Sequence, residues 1–119
     1  MKEGRPLAEE AEVATKRRLL AENGSRHELA KALLDLSRAY EHGNRMDDAL
    51  ATAHDGVSTL SPDFLADPRN FAAPMRTLIA QYMALVQRSR ARADDALLAP
   101  IAQTLGELTR AEDEAEDSN

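Results

Sequence analysis

The chain has 119 residues, of which 43% are hydrophobic, only 3% aromatic and 30% charged, and its formal net charge is −6. That length suits one domain with one modest core, and the acidic balance argues against non-specific attraction to nucleic acid or to an anionic membrane, either of which needs a basic face. With no cysteine, disulfides, thiolate nucleophiles and soft-metal sites are excluded as well.

The pattern predicts an all-α chain of five helices. The first covers 6–22, with Pro6 acceptable in a first turn and Asn23-Gly24 as its stop; its apolar face is the weakest. The second covers 25–42 and opens on Ser25 followed by Glu28, a capping box in which each side chain satisfies the other's orphan N–H. Leu29, Leu33, Leu36 and Tyr40 then form one stripe, and Gly43-Asn44 ends it. The third covers 46–60 and carries Met46, Ala49, Leu50, Ala53, Val57 and Leu60 on one face. So short a turn packs the second and third helices antiparallel. Over 61–71 the pattern lapses into a connector in which Ser61-Pro62 and Asp67-Pro68 each read as N-cap and proline, allowing one helical turn.

The fourth helix covers 71–89, with Met75, Leu78, Ile79, Tyr82, Met83 and Val86 as its apolar face and Pro74 in its first turn. The fifth covers 93–111, with Leu97, Ile101, Leu105 and Leu108 spaced for burial and Pro100 predicting a kink. Residues 1–5 and the acidic 112–119 are expected to be disordered.

A cryptic repeat underlies this order. Arg45-Met46-Asp47-Asp48-Ala49-Leu50 recurs forty-seven positions later as Arg92-Ala93-Asp94-Asp95-Ala96-Leu97, and at the same offset Leu33 answers to Ala80, Leu36 to Met83 and Ser37 to Ala84. Repeats of this kind build stacked helical hairpins and binding scaffolds far more often than active sites.

Leu33, Leu36, Ser37 and Tyr40 on one helix, with Ala49, Ala53 and Gly56 on the next and Pro62 beyond, resemble a tetratricopeptide repeat. The stretch from Leu29 to Leu50 is similar to the Ala- and Arg-rich repeats of actinobacterial regulatory proteins. In the second copy Gln87 stands at the aromatic position and Pro100 at a small one. The resemblance implies a short right-handed array of about two and a half repeats that binds a protein or peptide without catalysis. Arrays of this kind usually need about three repeats, so continuation, a homodimer or a folded-back bundle would close the flank.

The resemblance also names a concave surface: Lys31, Leu34, Asp35, Arg38, Glu41 and His42, then Gln81, Tyr82, Leu85, Arg88 and Ser89. Its arginines suit a peptide carboxylate while Leu34 and Leu85 meet apolar side chains, and the acidic chain suits a basic partner. Chaperone-binding members need lysine and asparagine where this chain has Leu34 and Arg38, which points away from that recognition. The connector residues Phe64 and Leu65 are candidates to fill the groove.

Catalytic motifs are thin. His27, His42 and His54 do not follow a glutamate at three residues, and His27-Glu28 lacks the second histidine of a zinc-protease motif because Lys31 stands there. Asp47-Asp48 and Asp94-Asp95 open helices, where the dipole favours negative charge. Neither an enzyme, a metal site nor a cofactor is expected. A helix-turn-helix DNA reader would use 46–60 for recognition, which carries Asp47, Asp48 and Asp55 and no Lys or Arg. No apolar run approaches the roughly 20 residues of a membrane span and the start lacks signal-peptide order, so a cytoplasmic protein is expected. Two rival readings are self-association through the terminal helices and a small-ligand pocket near Tyr40, Tyr82 and Phe71.

Overall fold

A computed structural model describes residues 8–22 and 25–117, which form five α-helices and, among the described residues, no strand. They are α1 (Ala8–Glu22), α2 (Arg26–His42), α3 (Met46–Ala66), α4 (Pro68–Ser89) and α5 (Asp95–Asp117). The expectations for residues 1–5 and for the Pro6 start of α1 lie outside the described residues.

Packing follows chain order. The largest interface joins α2 to α3, the next α3 to α4 and the third α1 to α2, while α5 rests lightly on α3 and α4. Helix α2 starts at Ser25, whose Oγ accepts the N–H groups of His27 at 3.1 Å and Glu28 at 3.4 Å; among the described residues the return half of the capping box is not formed. Its C-terminus is closed by Asn44, at φ 63°, not by Gly43. The Arg45 N–H reaches the Tyr40 carbonyl at 2.8 Å and the Asn44 N–H that of Glu41 at 3.0 Å, which is a Schellman closure. Helix α4 ends the same way: Arg90 has φ 56°, the Ala91 N–H bonds to the Val86 carbonyl at 3.0 Å and the Arg90 N–H to that of Gln87 at 3.3 Å.

The core is the seam between α2, α3 and α4. Leu29, Ala30, Leu33 and Ser37 of α2 meet Ala49, Ala53, Gly56, Val57, Leu60 and Phe64 of α3, and α4 adds Met75, Leu78, Tyr82 and Leu85. Small residues set the spacing here. A Cβ on Gly56 would stand 2.7 Å from Leu78 Cδ2 and at an ordinary 3.6 Å from Leu33 Cβ, so an added methyl would displace the end of the Leu78 side chain on α4 but not α2. The Ser37 hydroxyl is fully buried and donates to the Ala49 carbonyl at 2.8 Å, bonding α2 to α3 across the seam.

Two boundaries differ from the sequence pattern. The 61–71 connector is helix: α3 continues through Pro62 to Ala66, and α4 begins at Pro68, leaving Asp67 as the break. Phe64 extends the buried stripe of Val57 and Leu60 by one more turn and is itself fully buried. That burial, with the resumed bond from the Asp67 N–H to the Asp63 carbonyl at 2.9 Å, offsets the hydrogen bond Pro62 cannot make. Phe64 is thus core rather than groove filler, and Leu65 is 40% exposed. The second difference is α5, which starts at Asp95 and runs to Asp117 instead of ending near 111. After Pro100 the weakest former the helix meets is Gly106, and glutamate and alanine carry it on through the acidic stretch.

Candidate functional site

The C-terminal halves of α2 and α4 run side by side with equivalent positions in contact. Arg88 stands forty-seven places after Glu41, and its guanidinium donates to the Glu41 carboxylate. Two turns earlier, the Gln81 side-chain amide donates to Glu41 Oε1 at 3.0 Å and to Ser37 Oγ at 3.1 Å. Because the Ser37 hydroxyl in turn donates to the Ala49 carbonyl, this chain of bonds runs from the surface at Arg88 into the α2–α3 seam.

An open cleft of about 490 Å³ lies over these bonds, lined by Arg38, Glu41, His42, Gln81 and Arg88. Arg38, His42 and Asp35 also line a second cleft of about 660 Å³ on the α1 side of α2, with Glu9, Glu12, Ala39 and Gly43. Arg38 and His42 therefore form a ridge between a cationic hollow and an acidic one. Among the described residues Arg38 has neither a hydrogen bond nor an ion pair, in contrast to Arg88. Its guanidinium keeps five donors for an incoming acceptor.

The eleven surface positions expected from sequence divide in four. Arg38, Glu41, His42, Gln81 and Arg88 come together in one cleft, and Asp35 joins its neighbour. Lys31 is exposed on α2 but lines neither. Leu34, Tyr82 and Leu85 are corrected to core: they are 9%, 3% and 0% exposed, because each lies on the side of its helix that the neighbouring helices cover. Ser89 is half-buried, with a hydroxyl lacking a hydrogen-bond partner.

A polar cluster that the sequence did not announce ties α5 to the body. Asp94 is the N-cap of α5, its Oδ1 accepting the Leu97 N–H at 3.1 Å, while its Oδ2 meets His54 Nε2 of α3 at 2.8 Å. The Asp94 N–H donates to the Tyr82 hydroxyl of α4 at 2.9 Å, and the His54 and Tyr82 rings meet edge to face, 5.8 Å between centroids. The His54 hydrogen bond first, and the Leu97 N–H after it, hold the Asp94 carboxyl below its ordinary value. The Asp-Asp pair did suggest a helix start, but forty residues separate His54 from Asp94 and no local pattern links them.

Tyr40 plays the matching part at the other end. It is buried against α1, donates to the Glu10 carboxylate and has the Arg45 guanidinium 4.5 Å above its ring. Burial first, and then the bond to Glu10, push the phenol from 10.0 up to about 12. Phe71 meets His27 edge to face at 5.7 Å. Tyr40, Tyr82 and Phe71 thus have separate neighbours, and none of the three lines the clefts described.

Among the described residues no group of three His, Cys, Asp or Glu side chains is placed to hold a metal ion, and no helix is long and apolar enough to cross a membrane. The molecule is an all-α array of helices with a charged saddle on one face. No family model matches the chain, and neither a curated protein nor a solved structure matches it.

Proposed function

We propose that this chain is a non-catalytic binding module that takes up a peptide or protein segment across the saddle formed by α1, α2 and α4. The observation that carries this reading is the position of Arg38, a guanidinium without a partner among the described residues, between a hollow containing Arg88 and His42 and one containing Glu9, Glu12 and Asp35. A carboxylate is favoured on the first side and a basic side chain on the second, so a segment ending in a free carboxylate with lysine or arginine upstream matches both. The tetratricopeptide-like pattern of Leu33, Leu36, Ser37, Tyr40, Ala49, Ala53 and Gly56 agrees with such a role in a regulatory scaffold of the cytoplasm.

Selection from a random peptide library displayed with free C-termini tests this directly. Sequences with a basic residue upstream of the terminus are expected to enrich on the wild-type chain and to be lost on Arg38→Glu, with the mass by light scattering unchanged. Enrichment that ignores Arg38→Glu overturns the reading.

Self-association, as a homodimer or higher oligomer, is the competing reading, favoured by Leu19, 42% exposed on α1, and by the light packing of α5. Under it, light scattering gives a multiple of 13.0 kDa that Leu19→Glu reduces to the monomer.

A further inference from the structure

In the same cleft, Glu41 already does what the proposed ligand would do. It is a carboxylate on the cleft wall, three-quarters buried by side-chain exposure, and it accepts from both Arg88 and Gln81, the donors that α4 contributes. The wall opposite α4 offers Arg38, which has no partner among the described residues. A second carboxylate entering the hollow meets Arg38 without competition, but it reaches Arg88 and Gln81 only by displacing Glu41. Until that happens Glu41 also opposes it by like charge. We propose that Glu41 is an internal stand-in for the ligand carboxylate, which keeps the cleft self-satisfied in the free protein and weakens binding of any anion that must replace it.

This rests on the saddle reading above and adds the regulation of the site. The Glu41–Arg88 pair ties α2 to α4 in the free state, and ligand binding trades that tie for contacts to the incoming carboxylate. Surface pairs of this type contribute little, so the barrier is low. Removing it is worth about threefold in affinity, the scale of a single partly exposed ion pair.

The experiment uses the full chain and two pools of random octapeptides, one with free C-terminal carboxylates and one amidated. The fraction of each pool retained is measured for the wild type, Glu41→Gln and Arg38→Glu, and thermal melts check that each variant is folded. The expected result is preference for the free-carboxylate pool in the wild type, about threefold greater retention by Glu41→Gln, and loss of the preference in Arg38→Glu. Retention by Glu41→Gln alone, with none by the wild type, also supports the proposal as a stronger mask. If Glu41→Gln binds no better than the wild type while Arg38→Glu still abolishes the preference, Glu41 is no competitor; this inference fails and the saddle reading stands. If no variant distinguishes the two pools, both fall.

Discussion

The pair α2–α3 and the pair α4–α5 start from related sequence and end in different surroundings. Ala49, Ala53 and Leu60 of α3 are fully buried, whereas the residues forty-seven places on, Ala96, Pro100 and Glu107, are exposed on α5. Helix α3 is covered by α2 on one side and α4 on the other; α5 has α3 and α4 along one side and no helix on its far side among the described residues. The repeated motif is thus a local signal for a turn and a helix start. Whether its small residues become an interface depends on which element comes next in the chain.

The sharpest way to break this contrast is to empty the core of each pair and see what unfolds. Phe64→Ala, at a fully buried site of α3, is expected to cost about 4 kcal/mol in denaturant titration and to lower the stability of α2, α3 and α4 together. Ile101 is the fully buried side chain of α5 among the described residues. Ile101→Ala is expected to cost about 3 kcal/mol locally: amides of 95–117 lose hydrogen-exchange protection while those of α2 and α3 keep theirs. Equal loss in both regions would mean that α5 belongs to the same cooperative unit. Ser37→Ala removes the buried bond to Ala49 and the acceptor for Gln81. A cost of about 1 kcal/mol is expected from chemical denaturation, with Gln81 and Arg88 loosened on the cleft wall.

Two pH dependences separate the ends more finely. Asp94 is held low in the folded chain, so its contribution to seating α5 is present above the ordinary carboxylate range, about pH 4, and is lost as pH falls through its lowered value. The Leu97 amide resonance is expected to report that step, and Asp94→Asn to remove it. Tyr40 is raised, so its contribution at the α1 end is full below pH 10.0 and fades as pH climbs toward about 12. Ultraviolet titration should show the Tyr40 phenolate forming late, and Glu10→Gln should bring it earlier.

The all-α fold and the elements α2 and α3 were legible because their stripes are regular and their ends carry Ser25 and Gly43-Asn44. The connector differs from its expected form since Pro62, Asp67 and Pro68 are strong local breakers, yet the burial of Phe64 in the core shared with other helices carries α3 past Pro62. For the cleft, the resemblance to a tetratricopeptide repeat named Arg38, Glu41, His42, Gln81 and Arg88, which line one hollow, but it could not say which way each helix is rolled. That rotation buried Leu34, Tyr82 and Leu85. Neither could it reveal that Arg88 is already paired, because a contact between α2 and α4 depends on the helix lying between them in sequence.

The outlying helix α5, about 34 Å long at 1.5 Å per residue, shapes how the molecule travels through solvent. The envelope measures 61 × 37 × 25 Å with a radius of gyration of 15.8 Å, against about 13.5 Å for a compact chain of this length. A single copy therefore diffuses and sieves like a heavier sphere. Elution volume alone would mimic a small oligomer, and stoichiometry is read only by a method that weighs the particle rather than timing it.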